Sequence, residues 1–96
     1  MVHFEWDRFK EVANFEKHGI NFWTASLVFE DPHRVISRDE EHSETEERFY
    51  CIGKVNDKIV TVRFVQRGDL IRIIGAGYWR KGRKFYDEKK NKRRYL

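Results

Sequence analysis

Three segments, "RFYCIGKV" at 48–55, "KIVTVRFV" at 58–65 and "LIRIIGAG" at 70–77, follow one another with almost nothing between them. Only Asn56-Asp57 joins the first two, and the turn "RGD" at 67–69 precedes the third. Connections this short cannot carry a crossover, so the segments must pair as an antiparallel meander. A strand puts alternate side chains on opposite faces. Val60, Val62 and Phe64 therefore share one face with Ile71 and Ile73, and Phe49 and Cys51 can join them. Arg48, Tyr50, Arg63 and Arg72 point the other way. "HRVISR" at 33–38 reads as a further edge strand, giving an antiparallel sheet of about four strands.

Upstream the period changes to that of helices. "HFEW" at 3–6 is a short aromatic strand, and Asp7 is a good N-cap for a helix over 8–18. Phe9, Val12 and Ala13 form its expected core stripe, while Lys17, His18 and Gly19 read as a C-terminus closed by a left-handed glycine. Asn21 caps a second helix over 22–30, with Phe22, Ala25, Ser26 and Phe29 on one face, widened by Trp23 and Leu27; Asp31-Pro32 ends it. Residues 78–94 return to helical spacing, with Tyr78 and Phe85, and Trp79 and Tyr86, seven apart. Gly82 weakens that helix by about 1 kcal/mol relative to alanine. Strand, two helices, four strands and a basic C-terminal helix make an α+β fold in a single domain over 1–96.

Charge is unevenly placed. Residues 78–96 hold nine Lys/Arg against two acids, +7 out of a net +4, so the remainder is near −3. "DEEHSETEE" at 39–47 carries six carboxylates and reads as a solvated, extended loop. A single cysteine excludes an intrachain disulfide, and no apolar stretch resembles a leader or membrane span, so a cytoplasmic protein without membrane contact is expected.

The composition argues against several chemistries. His3, His18, His33, His42 and Cys51 lack metal-ligand spacing, so neither a metal nor another cofactor is expected. Cys51 lies in an alternating strand, where a small buried thiol is the common outcome. "GAG" at 75–77 lacks the spacing and lysine of a phosphate cradle. What remains is a face bearing Arg48, Tyr50, Arg63 and Arg72 beside a basic helix, suited to a phosphate backbone. The alternative is that one or two of them pair with acids of the 39–47 loop, Glu30 or Asp31. His18 is adequately explained as a helix end.

"FEWD" at 4–7, Asn14, "KHGINF" at 17–22, "FEDP" at 29–32, "ERF" with "IG" at 47–53, "RGD" at 67–69 and "RIIGA" at 72–76 together resemble the BrnT family, toxins of type II toxin–antitoxin pairs. The resemblance spans nearly the whole chain. It implies a RelE-like fold, a ribonuclease that arrests translation, and a BrnA-like antitoxin whose ribbon-helix-helix makes contact with DNA only indirect for the toxin. It also implies metal-independent cleavage in which the ribose 2′-hydroxyl attacks the adjacent phosphate. Arg48, Arg67 and Arg72 then suit the phosphate, because arginine does not readily lose a proton. Glu47 is the first candidate base and His18 the second, with ion pairing the alternative for Glu47. Trp23 suits base stacking or the core. Tyr50, Arg63, Arg80, Lys81, Arg83 and Lys84 suit RNA contact, and the four helical cations suit a solvated face or antitoxin docking equally. Relatives commonly continue "RIISAR", whereas here Gly75 and Gly77 replace the serine and arginine. A weakened enzyme, or a non-catalytic module binding nucleic acid or protein, follows as the alternative.

Overall fold

The computed structural model describes residues 2–94, with side chains to Lys92, so the last cations of the basic segment and the ends of the 1–96 span lie outside the described residues. In chain order the elements are β1 (His3–Trp6), α1 (Arg8–His18), α2 (Phe22–Ser26) prolonged by a 3₁₀ turn Leu27–Glu30, β2 (Val35–Arg38), β3 (Phe49–Val55), β4 (Lys58–Arg67), β5 (Leu70–Gly77) and α3 (Arg80–Arg94). The fold is α+β. A second 3₁₀ turn, Glu40–His42, sits between β2 and β3.

The meander forms as the short connections require. Asn56 and Asp57 both take positive φ, 48° and 67°, the geometry that lets a two-residue turn match the strand twist. The sheet is larger than expected, with five strands in the order β1-β5-β4-β3-β2. It is also mixed: β1 lies parallel to β5, from His3 opposite Leu70 to Trp6 opposite Ile73. The meander brings its last strand back beside the first segment of the chain, and a parallel pair of such distant segments leaves no local turn signal.

Simple alternation fails once. Arg63 pairs with Gly75 and Phe64 with Ile73, so Ile74 is an extra residue in a bulge. Ile71 and Ile73 face inward, but beyond the bulge Ala76 does so, and Gly75 and Gly77 turn outward beside Arg63 and Thr61.

On the inward face Val60, Val62, Phe64, Ile71, Ile73 and Cys51 pack against Ile20, Phe22, Ala25 and Val28. The second helix thus buries Phe22, Ala25 and Val28, switches to 3₁₀ geometry at Leu27, and leaves Trp23 64% exposed.

The core stripe expected on α1 is overturned. Phe9, Val12 and Phe15 are 84%, 51% and 53% exposed, and no α1 residue is buried. Glu11, Asn14 and His18 turn inward instead. Glu11 accepts from Phe22 N–H at 2.9 Å. Asn14 donates to Ile20 O at 3.1 Å and Ala76 O at 3.0 Å and accepts from Ala76 N–H at 3.2 Å. β1 pairs with β5 only as far as Ile73, and the Asn14 amide supplies the next partner along that edge. The ends of α1 follow expectation: Asp7 accepts from Phe9 and Lys10 N–H, and Gly19, at φ 74°, donates to Phe15 O.

The outward face is only partly covered. α3 lies on its β2 side, with Tyr86 buried against Val35 and Ile52 and flanked by Ile59 and Phe85. Gly82 is required there by contact, since a Cβ would fall 2.0 Å from Thr61 Oγ1. Tyr86 also donates to Asp31 Oδ2 at 2.6 Å, which accepts from Lys54 N–H at 2.7 Å.

Asn14→Ala should lower unfolding free energy by about 2–4 kcal/mol in a denaturant titration, because it strands both main-chain groups of Ala76. Burial pushes the Asp31 carboxyl up, but the Tyr86, Lys54 and His33 donors outweigh it and hold it below the ordinary value. A depressed carboxylate stabilises the fold above the unfolded titration range and ceases to do so as pH falls through its folded value. Thermal midpoints should therefore drop below about pH 4, and Asp31→Asn should show a lower midpoint at neutral pH with a shallower acid fall.

Candidate active site

The half of the outward face that α3 leaves open is where the arginines gather. Tyr50 pairs with Arg63 across β3 and β4, and Val65 pairs with Arg72 across β4 and β5. Arg48, just before β3, continues the Tyr50 side. Val65, between Arg48 and Arg72, is 4% exposed, so the sheet floor there is dry although charged groups cover it.

Most of these arginines meet acids, Arg63 one of the 39–47 loop as the alternative reading had it, and Arg72 one that reading did not name. Arg72 Nη1 lies 2.7 Å from Glu5 Oε2 on β1. Arg67 forks onto Glu46 at 2.9 and 3.1 Å. Arg63 lies 3.7 Å from Asp39. Arg48 has no carboxylate within ion-pair distance among the described residues, and its buried Nε makes no hydrogen bond. The Arg67 fork, with help from the Arg48 and Arg72 charges, holds the Glu46 carboxyl below the usual range against slight desolvation.

The acidic loop is solvated over most of its length, as expected, but it is not extended: it turns at Glu40–His42 and buries its first acid. Asp39 is 3% exposed. Its N–H donates to Arg48 O at 2.7 Å, and Ser43 Oγ, 2.6 Å from Asp39 O, accepts from Arg48 N–H at 3.0 Å. Its carboxylate takes His42 Nδ1 at 2.9 and 3.1 Å and the Tyr50 hydroxyl, with Arg63 beyond. Burial pushes this carboxyl up, yet the His42 and Tyr50 bonds and the nearby positive charge bring it below its ordinary value. Burial and the Asp39 charge in turn raise the Tyr50 phenol, so it stays protonated at neutral pH. A carboxylate only accepts, so His42 Nδ1 carries a hydrogen, and in the neutral ring Nε2 is the acceptor. This fixed imidazole went unassigned in the sequence. The spacing of Asp39 and His42 at i and i+3 was visible, but in a run of six carboxylates nothing marked Asp39 as the buried one.

The other candidates are dispersed. Glu47 is exposed, and its neighbour Glu46 is the acid that reaches the arginines. His18 packs against Trp79, with ring centres 5.2 Å apart. Trp79 lies over Gly77, opposite Thr61, four residues and about 13 Å along β4 from Val65. Trp23 belongs to α2 on the inward face. Arg80, Lys81, Arg83 and Lys84 are exposed on α3, and Lys81 borders a cavity shared with Tyr50. Burial pushes the Cys51 thiol up to about 12, which leaves it unreactive at neutral pH. No cluster of three or more metal-ligating side chains occurs among the described residues, and no described helix is long and apolar enough to cross a membrane.

Exposed ion pairs contribute little and exchange readily, which makes Glu46, in the exposed pair with Arg67, easier to displace than Glu5 in the part-buried pair with Arg72. Glu46→Gln should tighten binding to a single-stranded polyanion and steepen the fall of log affinity with log salt by about 0.7, read by titration at several salt concentrations.

No curated protein matches the chain. A family described as "Ribonuclease toxin, BrnT, of type II toxin-antitoxin system" matches residues 6–82, which take in α1, α2, β2 to β5, the end of β1 at Trp6 and the start of α3. The chain therefore belongs to the BrnT family of ribonuclease toxins.

Proposed function

We propose that the chain cleaves RNA without a metal ion, at the open half of the outward face. The observation that carries this is an imidazole held by a buried carboxylate, His42 on Asp39, on the same face as Arg48, Arg63, Arg67 and Arg72. His42 Nε2 takes the proton of a ribose 2′-hydroxyl, and the 2′-oxygen attacks the adjacent phosphorus. The P–O5′ bond breaks, giving a 2′,3′-cyclic phosphate and a 5′-oxygen that is protonated from solvent. Arg48, the arginine without a carboxylate, and Arg72, across Val65 from it, hold the phosphate oxygens as their charge grows. Arg63 keeps Asp39 ionised and adds to the same field.

The α+β plan suits a RelE-like toxin. The exposed Phe9, Val12 and Phe15 stripe offers an apolar surface to a protein partner, and a BrnA-like antitoxin is the partner this family calls for. A non-catalytic binding module is the second reading, favoured by Gly77 and by the three arginines already paired with acids.

His42→Ala should lower kcat by about 10²- to 10⁴-fold with the circular dichroism spectrum unchanged, and Arg48→Ala and Arg72→Ala should relieve growth arrest. Cleavage of a fluorescent oligoribonucleotide should persist in excess chelator. Soluble wild-type protein that neither arrests growth nor shortens RNA would establish the binding-module reading instead.

A further inference from the structure

Where α3 crosses the sheet it leaves a cavity of about 380 Å³, bordered by Ser37, Tyr50, Thr61, Trp79, Lys81 and Phe85. We infer that this cavity receives a nucleobase of the RNA whose phosphate is gripped beside it. The inference rests on the RNA-cleaving reading for the identity of the ligand, and on four observations for its place.

The first is the wall. Trp79 is a flat, 39% exposed ring whose position is fixed from two sides. Gly77 lies directly beneath it, so close that a Cβ would stand 3.0 Å from the indole, and the His18 ring meets it edge-on. A held aromatic face loses little freedom when a base stacks on it. Phe85, half-buried on α3, supplies a second ring.

The second is polarity. Ser37 can donate or accept, and the Lys81 ammonium donates only, so a base's edge atoms find partners at the rim. The third is Thr61, 5% exposed, which borders the cavity and whose Oγ1, beside Gly82, makes no hydrogen bond among the described residues. The fourth is continuity. Ser37 pairs with Tyr50 and Tyr50 with Arg63, one row across three strands. The cavity is therefore one strand from Arg63, and the Tyr50 that borders it pairs with the Arg63 that lies 3.7 Å from the Asp39 holding His42.

The test uses 2′-deoxy dinucleotides, which keep base and phosphate but lack the attacking hydroxyl. Affinity is measured on the wild-type protein by NMR titration, with an abasic dinucleotide for comparison, and on Trp79→Ala, Trp79→Phe and, as a control, Trp23→Ala. The base should strengthen binding about 10- to 100-fold. Trp79→Ala should lose that gain, Trp79→Phe should restore most of it, and Trp23→Ala should match wild type. On cleavable RNA, Trp79→Ala should raise KM and flatten the preference among bases, with kcat little changed. Equal affinity for the abasic ligand would overturn the inference with no variant needed, even if RNA is cleaved. Base-dependent binding that requires Trp79 in a protein that never cuts RNA would uphold the cavity and overturn the catalytic reading.

Discussion

The pairing of β4 with both its neighbours is the constraint on which the other features depend. Val60, Val62 and Phe64 must face α2, so Thr61, Arg63 and Val65 must face the other way. A one-residue slip would drive Arg63 into an apolar core, an error too costly to be populated. The same requirement aligns Tyr50 with Arg63 and Arg72 with Val65, so burying one face arranges the cations on the other. Coverage completes the arrangement: α3 seals the end of that face where Ile52 and Ile59 are apolar and leaves the arginine end open.

The attachment of α1 works by different physics. Its inward side is polar, and it is held by an amide and a carboxylate that each satisfy main-chain groups, not by apolar area. Such bonds are worth most because the groups they satisfy would otherwise be stranded at a sheet edge. The helix is thereby fixed without using its apolar residues, and these stay available to a partner. Periodicity alone assigns the apolar stripe of a helix to the core, which is why Phe9 and Val12 were misplaced.

Much of the fold was legible because short-range chemistry determines it. The Asn56-Asp57 turn, the Asp7 and Asn21 caps, the Gly19 stop and the alternation of β3 and β4 each need only neighbouring residues. The parallel pairing of β1, the bulge at Ile74 and the burial of Asp39 depend on residues far away in sequence, so no local window contains them. The arginine face was readable for the same reason as the core, since one alternation gives both. Which acids it meets was not: Glu5 reaches Arg72 only because β1 joins the sheet, and Glu46 reaches Arg67 only because the loop folds back on Asp39.

The departure at Gly77 gains a physical meaning from the bulge. Because Ile74 is extra, position 77 turns toward the outward face, the face that bears the arginines. An arginine there would share that face with Arg63 and Arg72, and in this chain the Trp79 ring occupies the space instead. If the cavity takes a base as proposed, a ring in that place draws binding from stacking, which salt does not screen, where an arginine would draw it from Coulomb attraction, which salt does. In the proposed function Arg48, free of any carboxylate within ion-pair distance among the described residues, is the first cation a phosphate meets. There Arg67 and Arg72 exchange Glu46 and Glu5 for phosphate oxygens, while Arg63 stays beside Asp39.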